Sequence, residues 1–144
     1  MREIEFRIKD CKGKWHYGYP VFFDDGSFSF FVNEKLNDLL PYEDCRVECA
    51  VNNTLGQYTG LKDKNGKKIF VGDILYIKAG HGDCVVGNAI VFFDEKLLQY
   101  RVREMRPYAY DSEVGNVYKE CDFAHIDSFE VIGNIYDNPK LLEE

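Results

Sequence analysis

The sequence predicts a mainly β protein, with an α+β fold as the alternative. Its 144 residues include 11 Phe and 10 Tyr, and aromatic side chains favour strands because they pack well on a pleated surface. Apolar and charged residues alternate near the N-terminus, a period of two that is typical of strands. The pair Asn65-Gly66 indicates a tight turn, since both residues tolerate positive φ. A chain of this length can bury a substantial hydrophobic core.

The N-terminal portion, residues 1–53, predicts a β-rich meander with one short helix. In Ile4–Lys9 the apolar and charged residues alternate, so this strand should bury one face and expose the charged one. Asn33 is placed to cap a helix over Glu34–Leu40 that ends before Pro41. Four further strands are predicted from alternation and turn residues: Trp15–Tyr19, Val21–Phe23, Phe28–Val32 and Cys45–Val51.

The central stretch Thr54–Ile77 sets the architecture of the remaining chain. The turn at Asn65-Gly66 should reverse the chain between Tyr58–Leu61 and Lys68–Val71. Gly72-Asp73 then precedes a run of apolar residues, a pattern common where the first long strand of a small SH3-type barrel begins. We therefore expect an SH3-like small barrel in residues 54–144, joined to the N-terminal subdomain in one compact unit.

Within residues 54–144 the strongest strand signals predict one antiparallel, barrel-like sheet. Its expected strands are Val71–Ile77, Val85–Phe93, Leu97–Val102 and Phe129–Tyr136. Glu104–Asp122 is polar and irregular, and insertions of that length are usually functional or mobile. Pro139 should begin a short final turn or helix.

Four blocks of this sequence resemble the YopX family of phage and prophage proteins. The blocks are Met1–Arg7, Gly56–Lys67, Gly72–Ile74 and Glu130–Pro139. They lie at both ends and in the middle, so the resemblance spans the chain. It implies a mainly β protein with an SH3-like portion, and it implies no assigned activity and no catalytic residues.

Composition excludes several classes of function. The longest apolar runs, such as Ala89–Phe93, are far too short to span a bilayer, and no secretory signal follows Met1. We therefore expect a cytoplasmic protein with no membrane partner. The net charge of -7 argues against general nucleic-acid binding, which needs a positive surface to release phosphate counterions.

The five cysteines predict free thiols, because an odd number cannot pair fully and the cytosol keeps thiols reduced. Cys45, Cys49, His81 and Cys84 have the side chains of a zinc site. However, Cys45 and Cys49 at positions i and i+4 of one strand would be ~13 Å apart. Buried, apolar cysteines are the better interpretation, so no metal or other cofactor is expected.

Catalytic residues are not apparent. His81 lies between two glycines and precedes Asp83, which gives a loop with a base and an acid. No serine or cysteine nucleophile accompanies it in a recognisable pattern, and the glycines match no phosphate-binding loop. We therefore expect no enzymatic activity, with a small enzyme of unassigned chemistry as an alternative.

One segment interleaves cations and aromatic rings, the combination that binds either proteins or single-stranded nucleic acids. The candidate partner-binding residues are Tyr100, Arg101, Arg103, Arg106, Tyr108 and Tyr110. A secondary candidate surface is a basic loop region, Lys62, Lys64, Lys67, Lys68 and His81. The first hypothesis is a non-enzymatic interaction module with a protein partner; the alternative is a single-stranded nucleic-acid binder. The sequence leaves a homo-oligomer open.

Overall fold

The computed structural model describes residues 3–32 and 45–142, which form two compact units. Unit 1 is Met1–Tyr58 and unit 2 is Thr59–Glu144. Strands dominate both units, so the predicted mainly β class is confirmed. The helix predicted over Glu34–Leu40 lies outside the described residues.

Unit 1 is built on an antiparallel sheet with the strand order β3-β2-β1-β4. The strands are β1 (Phe6–Asp10), β2 (Trp15–Phe22), β3 (Phe28–Val32) and β4 (Ala50–Lys62). The predicted meander is therefore present. β4 continues into unit 2, where its last residues lie beside β5 (Lys68–Phe70).

The charged face of β1 is not exposed, contrary to the prediction from its alternation. Glu5 and Arg7 are 7% and 6% exposed, although Ile8 on the other face is fully buried. The Arg7 guanidinium carbon lies 4.6 Å from the centre of the Trp15 ring, a cation–π arrangement that tolerates a covered arginine. A period of two thus identified the strand but not the solvent-facing side.

The strand predicted over Cys45–Val51 begins only at Ala50, so its first part is wrong. Arg46 makes an isolated bridge with Phe31, and the Val47 N–H donates to the Phe30 carbonyl at 2.8 Å. Cys49 then has φ of +56°, a left-handed conformation that lies outside the β region of a regular strand. Residues 45–49 therefore form a turn that lies beside β3.

Unit 2 is built on an open antiparallel sheet with the order β11-β8-β7-β6-β12. The predicted strands in that sheet are confirmed with shifted ends. The four confirmed strands are β6 (Asp73–Gly80), β7 (Gly87–Asp94), β8 (Gln99–Glu104) and β12 (Ile126–Asn134). The fifth strand of the sheet, β11 (Glu120–Asp122), was not predicted. The described residues form no closed barrel. Short 3-10 turns cover Phe123–His125 and Pro139–Leu142, the second at the place predicted for the final turn.

The core of unit 2 lies against this sheet. Leu75 and Ile77 on β6 pack with Val91 on β7 and Val102 on β8, and each is at most 1% exposed. Ile74, on the opposite face of β6, is also fully buried. The run Ile74–Ile77 does not alternate because β6 is buried on both faces at Ile74 and Leu75, although Tyr76 is 47% exposed.

The segment expected to be irregular, Glu104–Asp122, contains ordered strands. β9 (Ala109–Asp111) and β10 (Gly115–Val117) pair as a separate hairpin, and β11 joins the edge of β8. The prediction was wrong because these strands have three residues each, too few for alternation to be recognised.

Two aspartates in the sequence blocks maintain the fold. One carboxylate oxygen of Asp63 accepts hydrogen bonds from the N–H groups of Asn65 and Lys67 at 2.9 Å, and the other accepts from Val131 at 2.9 Å. It therefore ties the central turn to β12. The Asp73 carboxylate accepts from the Phe70 N–H at 2.8 Å in a fully buried position.

Candidate functional site

The structure separates the first two predicted partner-binding residues. Tyr100 and Arg101 are neighbours on β8 and so point to opposite faces of the sheet. The Tyr100 ring packs edge-on against Phe93, with centroids 5.2 Å apart. The Arg101 guanidinium donates to Asp122 at 2.8 Å and to Asp94 at 3.2 Å. Both side chains are therefore engaged within unit 2.

The ion pairs of Arg101 stabilise the charged form of its guanidinium group. Burial alone would lower the pKa of the guanidinium, but its hydrogen bonds to Asp122 and Asp94 outweigh that effect and raise the pKa. Two carboxylates already neutralise this cation. Arg101 is consequently a poor ligand for a phosphate group.

Arg103 and Arg106 are exposed. The guanidinium carbon of Arg103 lies 4.0 Å from the centre of the Tyr118 ring, so this arginine stacks on an aromatic face and is held in place. Tyr118 was not among the residues identified from sequence. Its relation to Arg103 depends on where β11 returns beside β8, which no local pattern indicates.

Tyr108 and Tyr110 lie on what we call the tyrosine hairpin, residues 108–117. The Tyr108 N–H donates to the Val117 carbonyl at 2.9 Å, and Tyr110 is paired with Asn116. At the tip, the Asp111 carboxylate accepts from the N–H groups of Glu113 and Val114. The hairpin is thus held by hydrogen bonds both where its strands pair and at its tip.

The apolar side chains of the tyrosine hairpin face solvent. Tyr108, Tyr110 and Val114 are 68%, 76% and 75% exposed. An open cleft of about 690 Å³ lies beside it. The residues around that cleft carry both charges and two aromatic rings: Asp83, Arg101, Tyr108, Tyr118, Lys119 and Glu120.

Two of the secondary candidate residues, Lys64 and His81, lie against acidic side chains. Lys64 pairs with Glu130 at 3.1 Å, and the turn that carries Lys67 is held by Asp63. His81 Nδ1 lies 3.2 Å from an Asp127 oxygen, and its ring meets His125 edge-on at 5.7 Å. Lys62 is exposed at the end of β4, and Lys68 is half-buried at the start of β5.

A second site lies in unit 1, and the sequence analysis missed it. Cys11 and Cys49 form a disulfide with Cα atoms 5.5 Å apart, so the prediction of five free cysteines is wrong for this pair. Cys11 and Cys49 come close together because residues 45–49 form a turn, whereas the sequence predicts a strand there. The other three cysteines, Cys45, Cys84 and Cys121, form no disulfide and are buried as expected.

This disulfide borders a pocket of about 260 Å³, which we call the disulfide pocket. Its described lining includes Asp10, His16, Cys45, Arg46 and the two bonded cysteines. His16 Nε2 lies 2.8 Å from Asp10 Oδ2. Cys11 itself follows directly on β1 and lies in the turn that leads to Lys14.

Asp10 is a fixed anion in this pocket. Its hydrogen bond with His16 is the largest cause of a pKa lowered to about 2. The N–H groups of Lys14 and Lys12 also donate to its other oxygen, at 3.0 and 2.9 Å. A carboxylate held in this way fixes the orientation of the His16 imidazole ring.

Grouped metal ligands are absent from the described residues of both sites. Within residues 3–32 and 45–142, no three His, Cys, Asp or Glu side chains are grouped so that they could hold a metal ion. The absence of bound metal stays a prediction, which elemental analysis of the purified protein would test. Across the same residues, no helix has the length and apolar character needed to cross a bilayer.

Comparisons with known proteins agree with this fold. The crystal structure of protein EF1440 from Enterococcus faecalis aligns with a TM-score of 0.58 over 99% of both chains. At 23% sequence identity, that likeness establishes the fold alone. A comparison with curated proteins finds no match. The family model described as YopX protein matches residues 6–143, and the chain therefore belongs to the YopX family.

Proposed function

We propose that this protein is a non-enzymatic, cytoplasmic interaction module that binds a protein partner through the tyrosine hairpin. The proposed phage or prophage context rests on the family resemblance. The hairpin is carried by the unit 2 sheet, which we interpret as an SH3-like sheet that does not close into a barrel within the described residues.

The exposure of Tyr108, Tyr110 and Val114 on an ordered hairpin is the observation that carries this proposal. Tyrosine provides a large apolar surface and a polar tip at low conformational cost, which is why it is enriched at binding hot spots. Val114 extends the same apolar element to the hairpin tip. A partner that covers these three side chains would remove apolar surface from water without reorganising the fold.

The cleft beside the hairpin favours a partner segment of mixed charge. Lys119 and Arg101 are balanced there by Asp83 and Glu120. A polyanion would therefore meet two carboxylates as well as two cations. A protein chain with both charges at its surface fits this arrangement better.

Single-stranded nucleic acid is the second candidate, and the stacked pair of Arg103 and Tyr118 is what favours it. A base stacks on such a platform while the cation contacts phosphate. The pairing of Arg101 with Asp94 and Asp122 weakens this candidate. So does the net charge of -7.

The experiment is affinity capture from phage-infected or prophage-induced cells, followed by calorimetric titration of the captured partner. Tyr108→Ala with Tyr110→Ala should reduce affinity at least about 30-fold, the effect of losing a hot spot of ~2 kcal/mol. Tyr76→Ala is the matched control, since Tyr76 is an exposed tyrosine outside the hairpin. If Tyr76→Ala lost binding while the variant with Tyr108→Ala and Tyr110→Ala kept it, the proposal would be contradicted. Micromolar binding of a single-stranded oligonucleotide at physiological salt, abolished by Arg103→Ala with Arg106→Ala, would replace it with the nucleic-acid function.

A further inference from the structure

The disulfide pocket of unit 1 combines a solvent-exposed disulfide with a histidine–carboxylate pair. We propose that Cys11–Cys49 is a redox-active disulfide that exchanges with low-molecular-weight thiols, with His16 as the acid–base group of the exchange. This site lies in unit 1 and is independent of the binding function proposed for the tyrosine hairpin.

Accessibility is the first reason. Both Cys11 and Cys49 are exposed, whereas Cys45, Cys84 and Cys121 are each at most 6% exposed. Thiol–disulfide exchange requires a thiolate to approach one sulfur directly, so exposed disulfides are the labile ones in proteins. The adjacent pocket of about 260 Å³ admits a small thiol to this bond.

The backbone around the disulfide is held by bonds that do not depend on it. The Cys11 N–H donates to the Cys49 carbonyl at 2.8 Å. The turn after Cys11 is fixed by the Asp10 carboxylate, which accepts from the N–H groups of Lys12 and Lys14. Reduction would therefore leave the two thiols adjacent, and the disulfide can form again.

His16 is placed to move the proton that exchange requires. Its ring lines the same pocket as Cys11 and Cys49, and Asp10 holds it through a 2.8 Å contact. The other charged side chains around the pocket are Lys12, Arg46 and Glu48. Lys12 and Arg46 are balanced there by Glu48 and Asp10, so the pocket contributes access and the His16 proton to the exchange, and not a net positive charge.

Two small thiols reduce the Cys11–Cys49 disulfide in two successive exchange steps. The thiolate of a small thiol attacks one of the two sulfurs, the Cys11–Cys49 bond breaks, and a mixed disulfide forms. The departing cysteine thiolate takes a proton from the His16 imidazolium. A second thiolate then attacks the mixed disulfide and releases the other cysteine. In total, two small thiols are oxidised to their disulfide, and Cys11 and Cys49 are reduced to thiols.

Glutathione redox buffers at neutral pH, applied to the folded full-length protein, test this proposal. N-ethylmaleimide would trap free thiols, and mass spectrometry would locate them. We expect Cys11 and Cys49 to become labelled under native conditions, with a mixed disulfide to glutathione as an intermediate. The buried thiols of Cys45, Cys84 and Cys121 should stay unlabelled and so serve as internal references.

The variant His16→Gln separates the role of the imidazole from simple accessibility. The exchange rate should fall at least about tenfold, a low value for the loss of acid–base catalysis, while the thiol–disulfide equilibrium stays unchanged. His81→Gln is the matched control, because His81 also faces an aspartate, Asp127, but lies in unit 2. It should exchange at the wild-type rate. Labelling of Cys11 and Cys49 only after denaturation, or His16→Gln exchange at the wild-type rate, would overturn the proposal.

Discussion

At the residue scale, the carboxylate of Asp63 has the clearest structural role. Burial alone would raise the pKa of Asp63, but hydrogen bonds from the N–H groups of Val131, Lys67 and Asn65 outweigh burial and lower it. A carboxyl group with a lowered pKa in the folded state stabilises the fold when it is ionised. Its contribution is complete above the ordinary pKa of 3.8 and disappears as the pH falls through the lower folded-state value.

We therefore predict that Asp63→Asn destabilises unit 2 at pH 7 by about 1.5–3 kcal/mol, the usual contribution of hydrogen bonds to a charged group. The variant should also lose part of the wild-type decline in stability below about pH 4. Urea denaturation followed by far-ultraviolet circular dichroism at pH 7 and pH 3 measures both effects.

Asp25→Asn is the control for Asp63→Asn. Asp25 also accepts bonds within a turn, from Ser27, but it is exposed to solvent. Water can replace those bonds, so its loss should have little effect on stability. Equal destabilisation by the two variants would show that Asp63 has no special role.

Residue-level prediction from sequence succeeded for turns and failed for solvent exposure. Asn65-Gly66 lies in the predicted turn because its backbone requirement is local, and Gly66 has φ of +81°. Arg7 was expected at the surface, but Trp15 on the neighbouring strand covers it. That contact depends on strand pairing, which the sequence around Arg7 does not encode.

At the element scale, the tyrosine hairpin depends on one glycine. Gly115 has φ of +85°, and a Cβ added there would meet nothing within 4 Å. Gly115→Ala should therefore act through backbone strain alone, at about 1–2 kcal/mol.

We predict that Gly115→Ala increases amide hydrogen exchange across β9 and β10 by about fivefold or more, the factor that corresponds to 1 kcal/mol. The comparison is Gly26→Ala, a glycine with φ of +89° and equally open surroundings in unit 1. That change should leave exchange in the hairpin unaltered. Unchanged exchange in Gly115→Ala would mean that the hairpin is not held by this turn.

The turn at 45–49 is the other element that sequence reasoning did not recover. Cys45, Val47, Cys49 and Val51 alternate like a strand, yet the left-handed conformation of Cys49 interrupts the pattern. The disulfide to Cys11 spans 38 residues, so no local signal connects the two. An odd cysteine count excludes complete pairing but does not exclude one pair, and this is why the free-thiol prediction failed.

Closing a loop of 38 residues should stabilise unit 1 by about 4 kcal/mol in the chain-entropy description of disulfides. We predict that Cys11→Ser with Cys49→Ser lowers the stability of unit 1 by about that amount. Trp15, the only tryptophan, lies in unit 1, so urea denaturation followed by its fluorescence reports on this unit. A reductant should destabilise the wild type and leave the double variant unaffected. Equal midpoints for oxidised wild type and double variant would contradict this prediction.

At the scale of the whole molecule, the class and the main sheet of unit 2 were predictable because long strands carry strong apolar patterns. Ile74–Ile77 and Ala89–Phe93 are apolar runs in β6 and β7 that supply fully buried residues such as Leu75 and Ala89. The sequence predicts a barrel, but the described residues form an open sheet. Closure depends on how the edge strands meet and not on the composition of any one strand. The candidate site was recovered in part: Tyr108 and Tyr110 were identified, but Tyr118 and the disulfide pocket required tertiary structure.

Partner binding at the tyrosine hairpin is proposed to depend on aromatic burial and not on charge. The most direct measurement is the dissociation constant of the captured protein partner at low and physiological salt, for Tyr110→Ala and for Arg106→Ala. Rim charges mainly set association rates, whereas buried aromatic anchors carry affinity. We therefore predict that Tyr110→Ala weakens binding at least about tenfold at both salt concentrations and that Arg106→Ala has a small effect confined to low salt. A Tyr110→Ala protein that binds like the wild type, together with a steep salt dependence that Arg106→Ala flattens, would contradict the account.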